Sequence, residues 1–237
     1  MNTLKIDRIG AQGDGVASGE KGPVFVPFTL PGERVNIAIN GSEGTAMSVM
    51  EPSPARIDPA CKHFEHCGGC ALQHWAPAPY LEWKRQIVRE ALASKGIESD
   101  VQPVAACQPG ERRRVTFTAR KVHDKIMIGF NAARSHDIIE IEECPVSMPS
   151  LIAALPALKR LATILVTKND PARLSVTQTD SGLDISVDGI PAPKGEARKR
   201  ASEYTILNNW TRLSVASEII VEPRKPVLSF GTVPVSL

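Results

Sequence analysis

Apolar and polar residues alternate at short range over the N-terminal stretch. Leu4-Lys-Ile6-Asp-Arg-Ile9, Val24-Phe-Val26, Arg34-Val-Asn-Ile37-Ala-Ile39 and Ala46-Met-Ser-Val49 predict strands, with Gly10, Gly13, Gly15 and Gly19 cutting between them. Strands this closely spaced suggest a small barrel over residues 1–55, which would close its own edges. Gly13-Asp-Gly15-Val-Ala-Ser-Gly19 has the wrong glycine spacing for a dinucleotide loop, and no helix follows it. It reads as a tight turn between strands.

The pattern changes after Pro52, Pro54 and Pro59. From Pro79 to about Lys95 the apolar residues Tyr80, Trp83, Ile87, Val88, Ala91 and Leu92 fall on one helical face, with Gly96 as a stop. Residues 112–121 and 125–142 read as strands. A helix over 148–166 carries Leu151, Leu155, Leu158, Leu161 and Leu165, and Pro156 must break or kink it. Arg173-Leu-Ser-Val176 and Leu183-Asp-Ile185-Ser-Val187 form a hairpin around Asp180-Ser-Gly182. A helix at 195–209 and strands near 211–215 and 218–221 complete the series. Residues 56–237 are therefore expected to be an α+β region with a largely antiparallel sheet, following an all-β barrel.

Composition narrows the class. With 42% hydrophobic and 23% charged residues the chain should pack rather than stay disordered. A net charge of +2 means that any nucleic-acid surface must be local. The N-terminus has no apolar signal core, and no run approaches the roughly 18 apolar residues of a membrane span. A cytoplasmic, reducing location is expected, where clustered cysteines more often bind metal than form bridges. The sequons at Asn40 and Asn209 then carry no meaning.

Three cysteines lie in Cys61-Lys-His-Phe-Glu-His-Cys67-Gly68-Gly69-Cys70, and a fourth in Glu143-Cys144-Pro145. Gly68 and Gly69 let the backbone turn sharply enough to aim Cys67 and Cys70 at one point. Cys61 lies one loop away, and Cys144 joins only through tertiary folding. Four thiolates suit a four-iron cluster or tetrahedral zinc. A triplet facing a lone Cys-Pro favours iron–sulfur, whereas His63, His66 and His74 offer nitrogens that zinc accepts. Cys107 has no local partner and reads as an isolated thiol.

Basic residues cluster on the next strands. Arg112-Arg-Arg114, Arg120-Lys121, Arg134 and His136 form a candidate phosphate-binding surface, with Phe117 or Phe130 available for stacking. Taken alone, the residues fit a solvated sheet edge with core aromatics better than an RNA surface. Glu196-Ala-Arg198-Lys199-Arg200 reads as a solvated helix face.

Cys61…Cys67-Gly-Gly-Cys70-Ala-Leu-Gln-His-Trp75, followed by Tyr80…Trp83-Lys84, resembles the iron–sulfur segment of bacterial RNA (uracil-5-)-methyltransferases acting on 23S ribosomal RNA and of their tRNA relatives. Arg112-Arg-Arg114, Gly129-Phe130-Asn-Ala-Ala-Arg134-Ser135-His136 and Ile141-Glu-Glu-Cys144-Pro145 resemble the central domain of that family. The N-terminal strands resemble its TRAM domain, an OB-like RNA-binding barrel. The resemblance implies a 4Fe–4S cluster on Cys61, Cys67, Cys70 and Cys144, serving structure and RNA positioning rather than redox chemistry. It also implies RNA contacts from Arg112, Arg113, Arg114, Arg120, Lys121, Phe130, Arg134 and His136. The expected partner is RNA, of 23S type, with no DNA and no membrane; a monomer is expected.

In that family a cysteine adds to carbon 6 of uracil, carbon 5 takes the methyl group of S-adenosylmethionine, and a base removes the carbon 5 proton. Those groups lie on a C-terminal doubly wound, Rossmann-like domain with a glycine-rich first turn. No such turn is seen here, so that domain is expected to be absent. The chain is then a shortened or frameshifted product, or an N-terminal segment, without methyl transfer of its own. The apolar residues Val227, Leu228, Phe230 and Val233 are expected to be exposed. A stand-alone RNA-binding module and a zinc-stabilised structural domain are the alternatives.

Overall fold

The structure, a computed structural model, describes residues 2–231 and 233–236. It is a mixed α and β molecule with two compact units, Met1–Glu65 with Cys70–Ala106, and His66–Gly69 with Cys107–Leu237.

The first unit opens with five strands, β1 (Asn2–Ile9), β2 (Gly15–Gly19), β3 (Gly22–Val26), β4 (Arg34–Asn40) and β5 (Glu43–Glu51), closed into a barrel in the order β1-β2-β3-β5-β4. Ile6, Ala17, Val24, Val26, Val35 and Ile37 fill it. Closure pairs β1 with β4, Leu4 opposite Val35, and leaves no open edge.

The segment expected to be a tight turn is instead strand β2, with only Gly13, at φ 91°, making the turn that precedes it. Gly15 is glycine for space: a Cβ there would lie 2.1 Å from Thr29 Oγ1. Turn chemistry and close approach leave the same letter in a sequence, and here the second reason applies.

Ile9, Leu30 and Trp75 form a second core, against which Ala55, Leu72, Tyr80 and Trp83 pack. Helix α1 (Pro77–Ala93) starts on a proline whose missing N–H costs nothing there. None of its residues is fully buried; its anchors are the Tyr80 and Trp83 rings, 5.9–6.3 Å from Trp75.

The second unit is built on a seven-stranded sheet with strand order β12-β11-β10-β9-β6-β7-β8. The strands are β6 (Arg114–Val122), β7 (Lys125–Asn131), β8 (Ile138–Ile139), β9 (Ala172–Thr179), β10 (Gly182–Asp188), β11 (Arg212–Val215) and β12 (Glu218–Val221). Every neighbouring pair is antiparallel except β10 with β11, whose connection runs through α4 (Gly195–Leu207).

One face of the sheet, including Val115, Phe117, Leu174, Val176, Ile185 and Leu213, is buried with the leucines of α2 (Pro149–Ala153) and α3 (Leu155–Leu165). Pro156 sits in the first turn of α3, so the predicted helix is two, broken at Ala154. A hairpin, β13 (Val227–Phe230) and β14 (Val233–Ser236), was not foreseen; its Phe230, Val233 and Val235 side chains are exposed. Among the described residues no helix is long and apolar enough to cross a membrane.

Candidate functional site

The cysteine-bearing loop is tied down separately in each unit. In the first, a turn closes from the Phe64 N–H to the Cys61 carbonyl at 3.0 Å, and the buried Phe64 ring sits edge-on to Phe28 and beside His74. In the second, Cys67 pairs with Ala132 in an antiparallel bridge. There the Gly68 N–H donates to the Asn131 carbonyl at 2.9 Å, and the Ala133 N–H to the His66 carbonyl at 3.1 Å.

A Cβ on Gly68 would meet the carbonyl oxygens of Asn131 and Ala132 at 3.1 Å and the Ala133 Cα at 3.2 Å. Neither Gly68 nor Gly69 has a left-handed backbone. The sharp turning expected of the two glycines therefore reduces to close approach at Gly68. The Gly69 amide points at the Cys67 sulfur, 3.4 Å away, as a donor favouring a thiolate would.

Cys144 is held by its own loop. Its carbonyl accepts from the Ser147 N–H, and its sulfur lies 3.2 Å from Ser147 Oγ. Residues 110–112 run alongside: Gly110 N–H donates to Pro145, Arg112 N–H to Val146, and Met148 N–H to Arg112. The first of the three arginines is thus fixed by backbone bonds to the Cys144-Pro145 loop.

Cys61, Cys67, Cys70 and Cys144 are all half-buried, whereas Cys107 is exposed. Cys61 and Cys70 belong to the first unit, Cys67 and Cys144 to the second. Among the described residues no group of three or more His, Cys, Asp or Glu side chains is disposed to hold a metal.

His74, a rival nitrogen ligand on sequence grounds, is only 1% exposed, and neither ring nitrogen has a hydrogen-bond partner. Burial, and then the positive charge of Arg56, push its pKa down to about 4 against an opposing pull from Glu33. The ring is neutral at physiological pH. His63 is half-buried and His66 exposed.

The Glu33–Arg56 pair beside it carried no signal in the sequence. Arg56 donates to both Glu33 oxygens, at 2.6 and 2.8 Å, and to the Phe28 carbonyl. Burial opposes charge on Glu33. The Arg56, Leu30 and Ser53 donors outweigh it and hold the carboxyl below its ordinary range.

The basic residues on the second unit divide by environment. Arg112, Arg113 and Arg114 are exposed at the start of β6; Arg113 pairs with Asp180 at 3.2 Å. Hydrogen bonds from Ser229 and then Arg113 hold Asp180 below its ordinary pKa. Arg120 is half-buried, and its Nε is buried without a hydrogen-bond partner. Lys121 pairs with Asp124 at 3.3 Å.

Arg134, at φ 54°, and His136 are exposed in the turn after β7. Phe130 stacks on the fully buried Phe117, centroids 5.0 Å apart, and so forms the edge of the core. Sequence reasoning passed over Arg173, Ser175 and Thr177 of β9, although their strict polar alternation was visible.

Comparison with known proteins gives a consistent set. A protein of Brucella suis named an uncharacterized RNA methyltransferase is 47% identical over 232 residues, covering 98% of this chain and 56% of its own length. Another so named, from Caulobacter vibrioides, is 43% identical over 245 residues, covering 100% of this chain and 59% of its own. The 23S rRNA (uracil(1939)-C(5))-methyltransferase of Dichelobacter nodosus is 33% identical over 214 residues, 86% of this chain and 48% of its own. The chain thus spans a little over half the length of its more similar curated relatives. No protein-family model matches it.

Proposed function

This chain is a homologue of bacterial RNA methyltransferases, and on that premise we propose that it is the RNA-binding, cluster-bearing part of an S-adenosylmethionine-dependent RNA (uracil-5-)-methyltransferase acting on 23S-type ribosomal RNA. The carrying observation is the similarity to an enzyme named for uracil C5 methylation of 23S rRNA, which extends over most of this chain. In this reading residues 1–55 are a TRAM-like barrel and residues 56–237 the central domain. Arg112, Arg113, Arg114, Arg120, Lys121, Arg134 and His136 hold the RNA backbone, and Phe130 lies at the margin of that surface. No residue of this chain is assigned to methyl transfer; the work assigned here is to bind and orient RNA.

A 4Fe–4S cluster on Cys61, Cys67, Cys70 and Cys144 completes the proposal. Four soft sulfur donors suit it. The fit is supported by Gly68, whose missing side chain lets Cys67 lie against Ala132, and by the Gly69 amide directed at the Cys67 sulfur. When bound, the cluster supplies a rigid cross-link. Through Cys67 and Cys144 that cross-link would tie the His66–Gly69 segment to the loop that also fixes Arg112.

The test is anaerobic purification with iron, sulfide and zinc analysis, together with fluorescence anisotropy on a uridine-containing single-stranded RNA across a salt series. Iron and sulfide in equal amounts, and an RNA affinity that falls with salt, are expected. Stoichiometric zinc without iron overturns the cluster assignment, and absence of RNA binding overturns the function.

A further inference from the structure

The residues of β6, β9 and β10 that point away from the helices form a surface with a chemistry of its own. In register across the strands, Arg114 lies opposite Thr177, Thr116 opposite Ser175, and Thr118 opposite Arg173. Ser186 continues the Thr116–Ser175 row, and Asp184 the Arg114–Thr177 row. On these three strands the face is polar from Arg114 to Arg120, with Val122 at the end of β6 as its one large apolar side chain.

Arg114, Thr116 and Arg173 are exposed, while Ser175, Thr177 and Ser186 are half-buried. The Thr116 and Ser175 hydroxyls lie 3.0 Å apart. Solvent alone would be served by long charged side chains. Short hydroxyls, each able to donate and accept, instead leave a flat floor.

The charges on this floor favour one sign of ligand. Arg212 donates two hydrogen bonds of 2.9 and 2.7 Å to Asp184 and also pairs with Glu222 at 3.6 Å, so that corner adds no net positive charge. Arg114, Arg120 and Arg173 form no ion pair among the described residues. Asp188 is opposite Arg173 in register, and Asp184 lies in the row of Arg114. At the usual rise of a strand Arg120 stands about 20 Å along β6 from Arg114, and Arg173, opposite Thr118, about 13 Å along.

We propose that this face is a track for single-stranded RNA, with Arg114 at one end and Arg173 and Arg120 towards the other on phosphates, and the hydroxyls of Thr116, Ser175 and Thr177 on ribose 2′-hydroxyls. It rests on the RNA-binding reading above and extends it to β9, which that reading leaves unassigned. The 2′-hydroxyl is the group that distinguishes RNA from DNA, and a donor–acceptor hydroxyl floor is suited to read it.

The experiment compares RNA and DNA of one sequence, by fluorescence anisotropy, on the whole 237-residue chain. Arg173→Ala should weaken RNA binding about fivefold and lower the salt slope by about 0.7, one single-strand phosphate contact. The pair Thr116→Val and Ser175→Ala should leave the slope unchanged and shrink the preference for RNA over DNA. Lys199→Ala, exposed on α4, serves as the reference surface change.

Crosslinking of 4-thiouridine RNA to the unaltered chain reads the same face without any variant, and adducts on β6 and β9 peptides are expected. If the unaltered chain binds RNA but these variants match Lys199→Ala and the adducts fall elsewhere, the track is wrong and the RNA-binding function stands. If the unaltered chain binds no RNA, the function itself fails, and the track with it.

Discussion

Glu33 and Arg56, 23 residues apart, form a two-point ion pair in which the carboxylate is fully buried. Each Glu33 oxygen also accepts a backbone N–H, from Leu30 or Ser53. Removing one partner strands the other. Glu33→Ala should cost about 3–5 kcal/mol in urea unfolding, and the double variant Glu33→Leu with Arg56→Met clearly less. Because the Glu33 carboxyl is held below its ordinary range, its contribution is complete above that range and is lost as pH falls through the lowered value.

His74 should give this protein an acid sensitivity that begins earlier. Its folded pKa of about 4 lies below the ordinary 6.5, so the unfolded chain takes up a proton first. Stability is complete above pH 6.5 and falls between there and pH 4, by about 3 kcal/mol. His74→Leu should flatten that portion of a stability-against-pH curve. Since the two ring nitrogens have no hydrogen-bond partner, the change should cost little at pH 7.5.

Gly68 and Gly69 are adjacent and should respond differently. Gly68→Ala presses a methyl group onto three backbone atoms that cannot swing away, with a stability loss of about 1–3 kcal/mol and reduced iron content after anaerobic purification. Gly69→Ala meets only the Cys67 sulfur at ordinary contact distance and should retain both. Thermal melts and iron analysis of the two variants distinguish spatial need from simple backbone freedom.

The three consecutive arginines should also separate. Arg113 spends its charge partly on Asp180, whereas Arg112 and Arg114 form no ion pair among the described residues. Arg114→Ala should therefore lower the salt slope of RNA binding by about 0.7, and Arg113→Ala by less. Equal effects would mean that the Asp180 pair opens in the complex.

The contrast between Pro156 and β2 shows what a sequence of this kind discloses. Period and punctuation were sufficient for four of the five barrel strands, the helix break at Pro156 and the hairpin of β9 with β10. Both depend on local backbone chemistry. The β2 strand was missed because its glycines serve tertiary contacts, such as Thr29 against Gly15, that no local pattern records. Glu33 and Arg56 were missed for the same reason, since two charges distant in sequence give no sign that one will be buried. The cysteine spacing and the arginine run stood out in the sequence as candidate sites. The backbone bonds between residues 110–112 and the Cys144 loop that connect them did not.

The hydroxyl pair of Thr116 and Ser175 also marks where synthesis must wait. It joins β6 to β9 across 59 residues of chain, and that pairing is the seam between the two local hairpins of the sheet. A ribosome can release β6 and β7 long before β9 exists, and until then β6 has a bare edge and an uncovered apolar face. Closing so long a loop adds little to the equilibrium cost but slows the search. Nascent chains stalled before residue 172 should therefore recruit holdase chaperones, and those stalled well past residue 188, with both strands clear of the exit tunnel, should release them.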